Sequence, residues 1–380
     1  MLSEGEMRRG IEELTWRVRE RIASEPMTPL ERLRKSNRFE EPDRVPILLQ
    51  IHEYAARLAG LSVKDICTSP VAHVYSQLVG LDRYGHDLPC AFVDVYNIEA
   101  EALGCRLHYP GETFPEIVER AITKKSDLAK LSVPDGTRDG RMPWVLEVND
   151  ILGEKLGDVM GIYGAVSAPF SIAANLRGFE QLMVDVYEDP DFVHALMELV
   201  TEVVISFGRL QVERGAMSTT LIDAWAAPPL LNLSLFDEFV LPYTARALGA
   251  LKPPGVSWGG IWGCSYLKDW RALIRRVIAA GSGNVRAFGL DTERGVDLAE
   301  MKEFLTRYRR PMLCTVTAEL MHSGPPEHIA EKTREYIRTA APGGGFTIYA
   351  AMVPIETPPE HLDAFISTAR QFGTYPIQQA

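Results

Sequence analysis

The sequence predicts an α/β protein built as a (β/α)8 TIM barrel with an N-terminal helical extension. Three observations carry that prediction. Eight short apolar runs recur along the chain, most ending in or just before a polar residue. Nearly all of them are followed by a stretch with apolar residues at helical spacing, the alternation of a parallel sheet wrapped by helices. The runs are continuously apolar rather than alternating, which suits strands covered on both faces. Eight strand–helix units close into a barrel whose reactive groups lie at the C-terminal ends of the strands.

Taken in order, residues 1–27 read as an amphipathic helix outside the barrel, with Ile11, Leu14, Trp16, Val18 and Ile22 set among charges. The barrel then spans 28–380. Thr28-Pro29-Leu30-Glu31 is a helix start, with Thr as N-cap, Pro in the first turn and Glu at the third position. Strand one is 44–49 and strand two 90–94. Residues 104–110 and 116–121 form an excursion, read as a β-hairpin, and 134–142 is a loop by its turn residues. Strand three, 161–166, leads through Ser167-Ala168-Pro169-Phe170 into a helix carrying Leu176, Phe179, Leu182 and Met183. Asp189-Pro190 restarts a long helix that ends near Arg214 and Gly215. Strands four to eight are 220–225, 255–260, 286–290, 313–317 and 347–351. Gly343, Gly344 and Gly345 precede the last strand as a tight turn; a phosphate loop would open a helix instead.

Bulk properties narrow the function. A hydrophobic content of 46% and a charged content of 24% are those of an ordinary globular chain. A formal charge of -11 argues against nucleic-acid binding, which needs a basic face. The apolar stretch around 159–174 is broken by Gly164 and Pro169 and is too short to span a bilayer. Five scattered cysteines without a CxxC pair, and an opening rich in charge rather than an apolar leader, indicate a reducing, cytoplasmic setting.

The predicted strand ends collect polar groups on one rim. His52 and Glu53 follow strand one, and Asp94 ends strand two. Tyr163 lies in strand three; Asp223 and Trp225 come from strand four; Trp258, Trp262 and Cys264 lie in or after strand five. Asp291, Glu319 and Glu356 follow the last three strands. Carboxylates converging with aromatics suit acid–base or metal chemistry. An Asp at a strand end equally well caps the next helix, and tryptophans equally well fill a core. Asp94, between Val93 and Val95, is the best placed, because desolvation there raises a carboxyl pKa. Cys264 is either a metal-bound thiolate or a small turn residue.

Several segments resemble the uroporphyrinogen decarboxylase superfamily: Thr28-Pro-Leu-Glu-Arg32, Glu41-Pro-Asp-Arg-Val-Pro46, Phe92-Val-Asp-Val95, Ala168-Pro-Phe170 with Leu176-Arg-Gly-Phe179, and Pro354-Ile-Glu-Thr-Pro358. The likeness covers about residues 28–375. It implies one barrel with two branches, cofactor-free tetrapyrrole decarboxylases and zinc-dependent methyltransferases that exchange methyl groups with a corrinoid protein. The text around 168–189 looks closer to the methyltransferase branch. After strand one the decarboxylases carry arginines for substrate carboxylates; here 48–54 has none, and the first is Arg57. Asp94 matches the decarboxylase aspartate. The methyltransferase zinc ligands, a His-x-Cys after strand five and a late Cys, correspond to Gly260, Trp262 and Ala351, so the usual set is absent, with Cys264 two residues further on.

The resemblance therefore implies a cobalamin-linked methyltransferase-like enzyme. Its expected substrate is a small methylated compound, with an aromatic methyl ether suggested by the tryptophans, and its expected partner a corrinoid protein. His52, Asp94, Tyr163 and Asp223 are the catalytic candidates. Trp225, Trp258, Trp262 and Glu319 are the substrate-binding candidates, and Cys264 is a metal candidate. The alternatives are a cofactor-free decarboxylase of a smaller acid and a non-catalytic tetrapyrrole- or corrinoid-binding barrel. Residues 1–27 pack either on their own barrel or on a second copy in a homodimer.

Overall fold

The computed structural model describes residues 2–226, 230–251, 257–259, 269–282, 285–287 and 296–378, with backbone alone at 257–259 and 285–287. Its strands are β1 (Ile47–Leu49), β2 (Arg106–His108), β3 (Glu116–Glu119), β4 (Tyr163–Ser167), β5 (Ser218–Ile222), β6 (Ser257–Gly259), β7 (Val285–Ala287), β8 (Met312–Val316) and β9 (Phe346–Ala350). Seven of the eight anticipated runs are strands. The exception is 90–94. Pro89 precedes it, the Cys90 N–H donates to Gln77 Oε1 at 3.1 Å, and the Cys90 carbonyl meets His73 Nε2 at 2.8 Å. Side chains of the helix Pro70–Tyr84 thus take the backbone bonds that a ladder would need.

The chain divides into two compact units. The first contains Met1–Cys90, Ile151–Ile162 and Val285–Ala380. Its parallel sheet runs β1-β9-β8-β7, with Ile47, Ile348, Cys314 and Ala287 in register. The helix Glu4–Ala23 buries Met7, Ile11, Leu14, Val18 and Ile22 and packs on the helix Pro70–Tyr84. A Cβ at Gly10 would lie 2.6 Å from the Tyr75 ring, so glycine permits this approach. Trp16, expected on the apolar stripe, instead faces solvent at 62% exposure. The predicted capping box is present: Thr28 Oγ1 accepts from the Glu31 N–H, and the Glu31 carboxylate accepts from the Thr28 N–H.

The motifs that flank this helix meet in a buried ion cluster. Arg32, fully buried, donates to Asp43, Asp87 and Glu25 at 2.6–2.8 Å. Arg44 donates to the same Asp87 carboxylate, which also accepts the Ile47 N–H at 2.7 Å. These two guanidiniums hold the Asp87 carboxyl below its ordinary value despite complete burial. The cluster fixes the entry into β1. Gly343, Gly344 and Gly345, all with positive φ, then turn the chain into β9 as anticipated.

The second unit contains Ala91–Asp150 and Tyr163–Asn284. Its parallel sheet runs β4-β5-β6, with Ser167, Ile222 and Gly259 in register at the C-terminal ends. The anticipated excursion is the antiparallel hairpin β2–β3. The long helix Pro190–Glu213 follows Asp189, whose side chain caps the Phe192 N–H. The single helix expected after β4 is two, Pro169–Arg177 and Phe179–Glu188. Gly178 separates them at φ +89°, a conformation other residues adopt only with strain.

Candidate active site

Within the second unit the best defined polar cluster forms around Asp94. Its backbone is left-handed, with φ +49°, a region that Asp tolerates better than most residues. The carboxylate accepts from Asn97 Nδ2 and from Arg141 Nη2, each at 2.6 Å. Arg141 Nε donates to Glu101 at 2.6 Å, and the Tyr109 hydroxyl donates to the other Glu101 oxygen at 3.1 Å. The Tyr109 ring lies 5.3 Å from the guanidinium carbon, a cation–π contact. Burial pushes the Asp94 carboxyl up to about 6, and the Arg141 charge holds it from rising further.

Glu99 lies next to this cluster on the short helix Ile98–Ala102. It is buried, and Oε1 accepts the Ser167 N–H at 3.3 Å. Oε2 has no partner among the described residues. Burial, aided by the negative charge of Asp94, raises its carboxyl to about 8, so it is protonated at neutral pH. Two carboxyl groups with displaced acidities in one cluster are a common arrangement at acid–base sites.

Asp223 follows β5 and is completely buried, accepting from Ser171 Oγ at 2.8 Å. The same Ser171 oxygen accepts the Trp225 N–H. The Trp225 indole is half-buried and stacks on Phe179 with centroids 5.0 Å apart. Its Nε1–H donates to Asn175 Oδ1 at 3.1 Å, while Asn175 Nδ2 donates to the Tyr96 carbonyl. Asn175 thereby ties the segment carrying Asp94 to the segment carrying Asp223 and Trp225. A cavity of about 530 Å³ opens beside Trp225 and Phe179, with Arg120, Arg177 and Gln181 in its lining. Tyr163 opens β4, at the far end of the strand from Ser167. At ~3.3 Å per residue that separates it from the groups at the strand's C-terminal end.

His52 and Glu319 belong to the first unit. His52 starts the helix that follows β1, its Nε2 3.1 Å from Gln50 Nε2, and Gln50 Oε1 accepts from the Tyr349 hydroxyl. Burial depresses the His52 imidazole to about 3, with nearby His73 adding to the effect, so the ring stays neutral at physiological pH. Glu319 sits in the first turn of the helix Ala318–Ser323. Trp258 lies in β6, its backbone paired with Leu221. Trp262, Cys264 and Asp291 lie outside the described residues. Reading strand ends alone misses Arg141, Glu99, Ser171 and Asn175. Ser171 and Asn175 fall between Ala168-Pro-Phe170 and Leu176-Arg-Gly-Phe179, which was their one signal; Arg141 sits in what reads as an ordinary loop.

The described donor set does not fit a zinc ion. Among the described residues no three His, Cys, Asp or Glu side chains are grouped to hold a metal. Ala351, where the resemblance expects a cysteine, is a buried alanine. Cys67, Cys90, Cys105 and Cys314 are buried and form no disulfide among the described residues. No described helix is long and apolar enough to cross a membrane.

A methylated-thiol–coenzyme M methyltransferase of Methanosarcina mazei is 27% identical over 276 residues, 72% of this chain and 70% of that protein. A uroporphyrinogen decarboxylase of Anaeromyxobacter dehalogenans is 24% identical over 356 residues, 88% of this chain and 97% of that protein. Among solved structures, a methyltransferase from Methanosarcina mazei matches with a TM-score of 0.76 at 20% identity, covering 91% of this chain and 99% of its own, which shows a shared fold. The profile of the uroporphyrinogen decarboxylase (URO-D) family matches residues 28–372, and the chain belongs to that family.

Proposed function

We propose that the protein is a methyltransferase of the URO-D family, with its strands closed into a (β/α)8 barrel, that moves a methyl group between a small methylated compound and a corrinoid carried by a partner protein. The observation that carries this reading over decarboxylation of a tetrapyrrole is the missing cation set after β1. A polycarboxylate substrate needs guanidinium partners. Here the first arginine after β1 is Arg57, and its Nη2 is spent on the Thr357 carbonyl at 3.0 Å. The methyltransferase relative supports the same choice.

In this reading Asp94 is the acid–base group. When the methyl leaves its heteroatom for the reduced corrinoid, that heteroatom gains an electron pair and takes up a proton. A carboxyl near 6 exchanges protons readily at neutral pH. His52, which burial holds neutral, is not assigned the part of an acid. Asp223, set by Ser171, positions the substrate, and Trp225 with Phe179 forms an apolar wall suited to a methylated aromatic. No step is assigned to zinc, since the described side chains do not form a site for it.

The test is methyl transfer from a panel of methyl ethers, thioethers and methylamines to reduced cobalamin by the purified protein. Turnover of at least one donor is expected, with Asp94→Asn slower by about 10²–10⁴-fold. Absence of transfer from every donor, together with failure to bind a corrinoid protein, would overturn the reading. The uroporphyrinogen decarboxylase relative and the match of Asp94 favour a second reading, decarboxylation of a smaller acid. Carbon dioxide release abolished by Asp94→Asn would establish it.

A further inference from the structure

We infer that Arg141 is a positioning residue that fixes the orientation of the Asp94 carboxylate and sets its state of ionisation, with Glu101 and Tyr109 holding Arg141 in place. The inference rests on the reading of Asp94 as the acid–base group, and it names what governs that group.

The geometry is specific. Arg141 is nine-tenths buried and divides its guanidinium between two carboxylates, Nη2 to Asp94 and Nε to Glu101. Each contact is 2.6 Å, the short distance of a charge-assisted bond. A flexible surface arginine would gain little from such a pair, but here Arg141 and Asp94 are desolvated and their charges act at low screening. Asn97 braces the second Asp94 oxygen, so the carboxylate is held at both atoms. The left-handed backbone at Asp94 fixes the approach of the side chain. Arg141 is in turn fixed from two sides, by Glu101 and by the Tyr109 ring, and Tyr109 reaches Glu101 as well.

The groups facing Asp94 can be counted by sign. Arg141 favours the ionised form, Asn97 assists it by donating, and Glu101 and Glu99 oppose it by like charge when ionised. Arg141 is the positive charge of the cluster. Without it, Asp94 would be a buried acid beside two other carboxyl groups and would keep its proton at neutral pH. A lysine carries the charge but lacks the planar fork that spans both carboxylates. Arg141 Nη1 is buried without a partner among the described residues.

The test is an infrared titration of the Asp94 carboxyl band, isolated as the difference between the intact protein and Asp94→Asn. Arg141→Gln is expected to raise the midpoint by about one pH unit or more, a tenfold loss of acidity. Arg141→Lys is expected to recover most of that shift, and Glu101→Gln to lower the midpoint below that of the parent. Thermal melts check folding. An Arg141→Gln midpoint within experimental error of the parent would overturn the inference. If that variant does not fold, a Glu101→Gln midpoint unchanged from the parent overturns it equally. A protein that transfers no methyl group and releases no carbon dioxide would refute the role of Asp94 while leaving this titration readable.

Discussion

Single residues show how burial, rather than residue type, sets the chemistry available here. His52 and Glu99 are both removed from water, and both are held neutral. For Glu99 the consequence for stability has a definite sign. Its carboxyl titrates near 8 in the folded chain, against a reference of 4.5. Between those values the folded protein holds a proton that the unfolded chain has released, so this group's contribution to stability falls as pH rises through the window. Glu99→Gln keeps the shape of the protonated acid and its bond to Ser167 without titrating. Melting curves between pH 5 and pH 8 are therefore expected to favour the variant progressively over the parent, and parallel curves would disprove the assignment. Asp94 was legible in the sequence as a carboxyl among apolar neighbours. Arg141 was not, because it lies 47 positions away and nothing local distinguishes a partnered arginine in a loop from a solvated one.

At the level of elements, strands were readable wherever an apolar run was also free to pair. The run at 90–94 had the right composition, but its first backbone groups go to Gln77 and His73, a tertiary preference that no window of sequence contains. The Thr28 capping box was readable because it is local; the ion cluster it leads into was not, although Arg32, Asp43 and Arg44 lie in the motifs that carried the family resemblance, because Glu25 and Asp87 lie outside them. Asp87 is the hub of that cluster, with Arg32, Arg44 and the Ile47 N–H all donating to it. Asp87→Asn leaves two buried guanidiniums short of a counter-charge and is expected to cost about 3–5 kcal/mol, seen as a melting point lower by roughly 4–6 °C. Because the folded-state carboxyl is depressed, the stability it supplies is present above its unfolded value and lost as pH falls through the folded one. The variant should accordingly lose part of the parent's sensitivity to acid. A loss below about 1 kcal/mol in urea titrations would mean that the cluster behaves like a surface ion pair. The helix break at Gly178 gives a smaller expectation: Gly178→Ala meets the Arg120 side chain at 3.1 Å and adopts a strained φ, for a loss of about 1–2 kcal/mol by the same titration.

For the whole molecule, the alternation of strand and helix and the family resemblance specified the α/β fold, while the chemistry depended on contacts between distant segments. The zinc question illustrates the difference. The expected ligand positions hold Gly260, Trp262 and Ala351, and the described side chains offer no substitute group of three. Protein purified without chelator is expected to contain well under one zinc per chain, and chelator treatment to leave its melting point unchanged; elemental analysis near one zinc per chain would show the opposite. Asn175 connects three distant parts of one unit: its side-chain NH2 faces the Tyr96 carbonyl, its side-chain oxygen faces the Trp225 indole N–H, and its backbone carbonyl accepts from Arg120. The amide is keyed in one direction only. Turned over, it would set donor against donor at the indole and acceptor against acceptor at the carbonyl, and the isosteric Asp could serve only one of its two neighbours. A chain that drifts at this position thus loses the relative placement of an acid and an aromatic wall together, even though neither of those residues has changed.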